Sequence, residues 1–199
     1  MNDRPSRRLH ISFNSPAVLV FVLLCVAAQL LNMLTNGWAN TYLFSVYRGR
    51  LTDPLGYIRL FAHVLGHAGW DHLLGNAMLL LILGPMLEEK YGTANLVFVM
   101  LATALTTGLI NVIFFPRIAL LGASGIVFAF VLLSSITSAD DHTIPLTFLL
   151  VALLYIGTEI YEGLFVQDNV SQLTHIIGGL VGSALGFIMN RLHMSRIQR

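Results

Sequence analysis

Residues 16–34 read PAVLVFVLLCVAAQLLNML, a run without one charged side chain. A helix that crosses a bilayer needs about 20 mostly apolar residues, and it must pair every backbone N–H and C=O internally because the hydrocarbon holds no water. The run therefore predicts a membrane-spanning helix. Arg4, Arg7 and Arg8 precede it, the arrangement of a first span kept in the mature protein rather than of a signal peptide with its shorter apolar region. Five further stretches of this kind follow, at 72–87, 94–115, 118–137, 145–165 and 173–188. The expected architecture is an all-α membrane protein, a six-transmembrane-helix bundle. It comprises an N-terminal tail over 1–15, a single membrane domain over 16–190 and a C-terminal tail over 191–199.

Composition agrees with that reading. Of 199 residues, 56% are hydrophobic and 11% charged, against about a quarter charged in soluble domains, and the mean hydropathy is +0.76. A net charge of +1 leaves no basic footprint for nucleic acid, which is excluded as a partner. The lone Cys25 lies inside the first apolar run, so there is no disulfide framework or thiolate metal cluster, and it packs as a small apolar side chain. No repeat of fixed period or low-complexity tract is present, and the inverted-repeat signature of transporters is not evident.

Six spans place both ends on one side. Arg4, Arg7 and Arg8 before the first span, Arg191, Arg196 and Arg199 after the last, and Lys90 between them all fall on that side, against Arg48, Arg50, Arg59 and Arg117 on the other. The positive-inside rule makes the richer side cytoplasmic. The expected location is a bacterial inner membrane, with both termini cytoplasmic. The long segment 35–71 then lies outside, and its Trp38, Tyr42, Phe44, Tyr47, Tyr57, Phe61 and Trp70 suit the membrane interface.

Polar side chains at membrane depth are costly and mark functional candidates. His72 and Asn76 share one helix face, four residues apart, at the start of the second span. Ser124 falls early in the fourth span and His175 at the start of the sixth. These three spans run in the same direction, so the polar groups reach similar depth near the outer surface. Gly122-Ala123-Ser124-Gly125 exposes a hydroxyl under little steric cover, and Gly178, Gly182 and Gly186 let the sixth helix approach Gly125 and Ala129 of the fourth.

A serine becomes a nucleophile when a base takes its proton, and histidine is the usual base. Attack on a peptide carbonyl creates an oxyanion that needs aimed donors, which His72, Asn76 and the Ser124 backbone N–H can supply. Asp140 and Asp141 fall in an inner loop, and Glu159, Glu162 and Asp168 carry no motif tying them to His175. The reading is a Ser-His dyad, its histidine held by packing against Phe128.

These residues resemble the rhomboid family of intramembrane serine proteases, over about 57–186. The resemblance rests on 67–76 (HAGWDHLLGN), 122–125 (GASG) and His175-Ile176-Ile177-Gly178 with Gly182. It implies Ser124 as nucleophile, His175 as general base, His72 and Asn76 as the oxyanion hole, and Gly122, Gly125, Phe128, Gly178 and Gly182 in support, with no cofactor and no metal. Implied substrates are single-span or other membrane proteins cleaved in or near a transmembrane segment within the lipid bilayer, entering by a gate at the fifth helix and an outer loop. Ile58 before Arg59, and Phe128, stand where the family commonly has tryptophan and tyrosine. A catalytically silent binder of membrane helices is the alternative of another class. A metalloenzyme built on His63, His67 and His72 is weaker, because H-E-x-x-H is absent. The elbow G-x-S-x-G also fails, at Ile126. His63 and His67 are read as supports of the loop, and Glu88 and Glu89 as solvated or anchoring.

Overall fold

The computed structural model describes residues 13–136, 144–165 and 171–197, with backbone alone at 155–156, 158–165, 171–174 and 190–197. Arg4, Arg7, Arg8, His10, Asp140, Asp141, His142, Asp168 and Arg199 lie outside the described residues. Among those described, three helices are long and apolar enough to cross a membrane: α1 (Pro16–Leu34), α4 (Trp70–Tyr91) and α5 (Thr93–Phe114). Between α1 and α4 stand the short α2 (Trp38–Tyr42) and α3 (Pro54–Ala62) and a 3₁₀ turn, His63–Leu65. Then come α6 (Ser124–Ile136), α7 (Leu146–Phe165) and α8 (Ser171–Ile197). Residues such as Leu23, Ile82, Phe98, Leu153 and Leu154 are exposed on the helix surfaces. Apolar surface of that extent suits hydrocarbon as its solvent, not water.

The fourth apolar stretch departs from expectation. Its helix starts at Ser124 rather than Ile118, and the preceding residues run as a loop. Pro116 disfavours helix in the residue before it. Asn111 at the end of α5 donates its Nδ2 to the carbonyls of Val46 and Ile118, at 3.0 Å each. Val46 and Leu120 then form an antiparallel bridge, with both N–H···O distances 2.9 Å. Leu120 and Ala123 are buried in this stretch, which forms a staple across the loop instead of joining the helix. At the other end α8 continues as helix through Ile197, past the expected boundary at 190.

A carboxylate secures the N-terminus of α1. Pro16 starts the helix, where its missing N–H costs nothing. Ser15 does not cap with its own side chain. Instead Glu88 of α4 accepts from the N–H groups of Ala17 (3.0 Å) and Val18 (3.3 Å) and from the hydroxyls of Ser15 (2.6 Å) and Thr93 (2.8 Å). One buried carboxylate thus fastens α1, α4 and α5 together, and the anchoring role read for Glu88 holds.

The most extensive helix pair is α6 with α8. A methyl group added at Gly178 would overlap the carbonyl oxygen of Gly125, and one at Gly182 would overlap the Ala129 backbone. At Gly186 it would come 2.6 Å from Leu133 Cδ1. These contacts recur at four-residue steps on both helices with a constant offset, so α6 and α8 run parallel and in register. Gly182→Val is expected to destabilise the protein by about 1–3 kcal/mol, the usual cost of overpacking. A lowered melting temperature in detergent checks this; an unchanged one would mean the helices separate freely.

Candidate functional site

Ser124 is the first residue of α6, half-buried, at a helix N-terminus whose leading N–H groups have no intrahelical partner. Gly122, two residues earlier, has φ +126°, a conformation that a side chain strains. A Cβ placed there would lie 2.8 Å from Cε1 and 3.1 Å from Nε2 of His72, and 3.7 Å from Ser124 Oγ. The absent side chain therefore leaves the space into which the His72 imidazole and the serine hydroxyl both project.

The His72 Nδ1 faces the N–H of Ala68 at 3.4 Å and accepts from it. The ring proton of the neutral imidazole then sits on Nε2, the nitrogen turned toward Gly122. His72 is set as a donor, not as a base. One turn along α4, Asn76 is buried, and its Nδ2 has no hydrogen-bond partner among the described residues. It lines a narrow crevice with Ala123, the residue before Ser124.

His175 arrives from α8. The register that sets Gly178 on Gly125 carries His175, one turn earlier, to the level of Gly122 and Ser124. Its ring lies against Phe128, with centroids 4.6 Å apart and planes inclined at 46°, and both residues are half-buried. The packing partner read from the sequence is thus in place. Elements far apart in the chain thus bring His72 to Gly122 beside Ser124, Asn76 to Ala123, and His175 to Phe128.

Beneath this group lies the loop support read from the sequence for His63 and His67. The carbonyl of His63 accepts from the Gly122 N–H at 3.0 Å. The His63 ring is wholly buried, with Nδ1 3.2 Å from the Arg59 carbonyl and Nε2 3.3 Å from Thr107 Oγ1. Arg59 is itself buried; its Nη2 meets Asp53 at 2.6 Å, its Nη1 donates to the Tyr42 carbonyl, and its guanidinium lies over the Tyr47 ring at 4.5 Å. His67 stands edge-on to His72 at 5.0 Å, with Nδ1 3.1 Å from the Leu65 carbonyl. His63 and His67 therefore hold the loop and do not meet Ser124. Among the described residues, no three of His, Cys, Asp and Glu converge on one point.

Burial pushes the His63 imidazole down to about 4, with backbone hydrogen bonds opposing. Burial, reinforced by the neighbouring His72 charge, does the same to His67. Unfolded histidine titrates near 6.5. Between those values the unfolded chain binds protons that the fold refuses, so stability falls as pH drops from about 6.5 to about 4. Thermal melting in detergent across that range is expected to show the decline, with a shallower slope for His67→Gln.

Fold and site together define a helical membrane protein in which a serine and two histidines converge from three helices. The Rhomboid domain model matches residues 54–192, and the chain belongs to the rhomboid family. It is 31% identical over 159 residues to Rhomboid-related protein 2 of Mus musculus, covering 70% of this chain and 53% of that protein. It is 27% identical over 140 residues to Rhomboid-related protein 1 of Caenorhabditis elegans, covering 66% of this chain and 39% of that one. Rhomboid protease GlpG of Haemophilus influenzae is 25% identical over 185 residues, covering 90% of this chain and 94% of its own. The chain thus spans about half the length of the mouse relative and nearly the whole of the bacterial one.

Proposed function

We propose that the protein is an intramembrane serine endopeptidase that cleaves membrane-protein substrates in or near a transmembrane segment, with Ser124 and His175 as a catalytic dyad. The observation that carries this reading is the space at Gly122, which Ser124 Oγ and His72 Nε2 border together. The parallel register of α6 and α8 supports the approach of His175 from the other side.

In this reading the Ser124 oxygen attacks the substrate carbonyl carbon while His175 takes its proton. The oxyanion meets the Nε2–H of His72, the unpaired amide of Asn76 and the leading N–H groups of α6, whose dipole also favours negative charge there. The carbon–nitrogen bond then breaks and His175 returns the proton to the leaving amine. Water adds to the ester, again losing a proton to His175, and the acid departs as Ser124 is restored. The substrate helix must unwind locally first, because a helical peptide carbonyl is hydrogen-bonded and shielded. Small or helix-breaking residues near the cut should favour cleavage.

In this reading Ser124, at the N-terminal end of α6, lies near one membrane surface and is reached by water from that side. The basic ends assign that side as external and both termini as cytoplasmic, in a multi-pass protein of the bacterial inner membrane. The six-span count, the tails over 1–15 and 191–199 and the gate at α7 belong to the same proposal. Labelling of purified protein with a fluorophosphonate is the direct test. Labelling that disappears in Ser124→Ala is expected. Absence of labelling in a folded wild type that also cleaves no single-span substrate would favour a silent binder of membrane helices.

A further inference from the structure

Away from the site, α1 and α5 leave a groove of about 450 Å³ between them. Its walls are the stripe Ala17, Val20 and Leu24 on α1 and the stripe Val97, Leu101 and Ala104 on α5. From Thr93 to Ala104 the groove follows α5 for roughly 16 Å, about half the ~30 Å hydrocarbon core. There Phe61, Val64 and Leu65 meet it at its far end. At the near end it shares Pro16 and Thr93 with a second pocket of about 400 Å³, to which Asn14, Glu88 and Glu89 contribute. The sole ion pair among the described residues is Arg59–Asp53, so neither carboxylate is ion-paired among them. Glu88 spends its oxygens on neutral donors, while Glu89 is exposed.

We propose that this composite cavity is a binding site for one phosphatidylethanolamine molecule, its acyl chain in the α1/α5 groove and its primary ammonium at Glu89. A spanning helix would not stop at half the depth of the core, whereas a hydrocarbon chain suits a groove of that depth with an apolar lining. The headgroup follows from charge: the exposed Glu89 carboxylate favours an ammonium, and a primary ammonium offers the donors that a quaternary one lacks.

Native mass spectrometry of the detergent-purified protein, offered equal phosphatidylethanolamine, phosphatidylcholine and phosphatidylglycerol, tests the assignment. The expected result is one tightly retained phosphatidylethanolamine, at least tenfold over either competitor. Glu89→Lys should abolish that preference with retention of some phospholipid, whereas Val97→Trp, which fills the groove at a position already 38% exposed, should abolish retention without lowering the melting temperature. Equal retention of the three lipids, retention unchanged in Val97→Trp, or a dimer mass in place of bound lipid would each overturn the proposal.

Discussion

Replacing Ser124 with alanine is expected to lower cleavage of a single-span substrate by about 10⁴-fold or more, with melting temperature unchanged. Loss of a nucleophile that acts as one unit with its base removes nearly all the covalent pathway and leaves only what oxyanion donors and binding supply. His175→Ala should fall as far, and the double variant no further, because each single change already breaks the same proton-transfer unit. This pattern is diagnostic. Were the two residues merely packed near each other, their effects on rate would add, and Phe128→Ala would change activity as much as His175→Ala does. In the dyad reading Phe128 only orients the ring against which it lies at 4.6 Å, so its loss should cost far less. Comparison of the variants' turnover on one purified substrate, with melting curves as control, decides between these outcomes.

Much of this was legible in the sequence because the bilayer imposes a simple rule. Apolar length alone located α1, α4, α5, α7 and α8 to within a few residues at most of their ends, apart from the helical extension of α8 to Ile197. Polar groups within the apolar runs marked His72, Asn76, Ser124 and His175 as candidates. The small-residue stripe gave the α6/α8 contact, because a helix with Gly178, Gly182 and Gly186 along one face has little else to bury there. What stayed hidden depends on tertiary pairing. Residues 118–123 are apolar enough to read as helix, yet Asn111 and Val46 draw them into an extended staple that no periodicity reveals. The His63 carbonyl on Gly122 is a backbone contact, invisible to any reading of side-chain types. Glu88 looked like a helix-end charge; that it caps α1 follows only from the position of a helix some seventy residues earlier in the chain.

Asn76→Ala is expected to reduce turnover by about 10²–10³-fold, the cost of removing one oxyanion donor, while leaving stability equal or slightly higher. The second half of that expectation comes from the structure. Asn76 is buried with its Nδ2 unpartnered among the described residues, and a buried donor without a partner is a net cost to the fold. A residue kept for structure would show the opposite pairing, a lower melting temperature with activity falling only as the protein unfolds. Asn76→Asp sharpens the contrast. It keeps the size of the side chain but replaces the donor with a group that repels an oxyanion when ionised, so its turnover should fall at least as far as that of alanine. KM should move little in all of these, because the oxyanion exists only once Ser124 has attacked. If Asn76→Ala instead melted lower and turned over normally, the amide would be a packing group and the donors would reduce to His72 and the N-terminus of α6. The nitrogen unpaired among the described residues is therefore the feature that makes the proposed chemistry falsifiable: in that chemistry its partner is the charged carbonyl oxygen of the transition state.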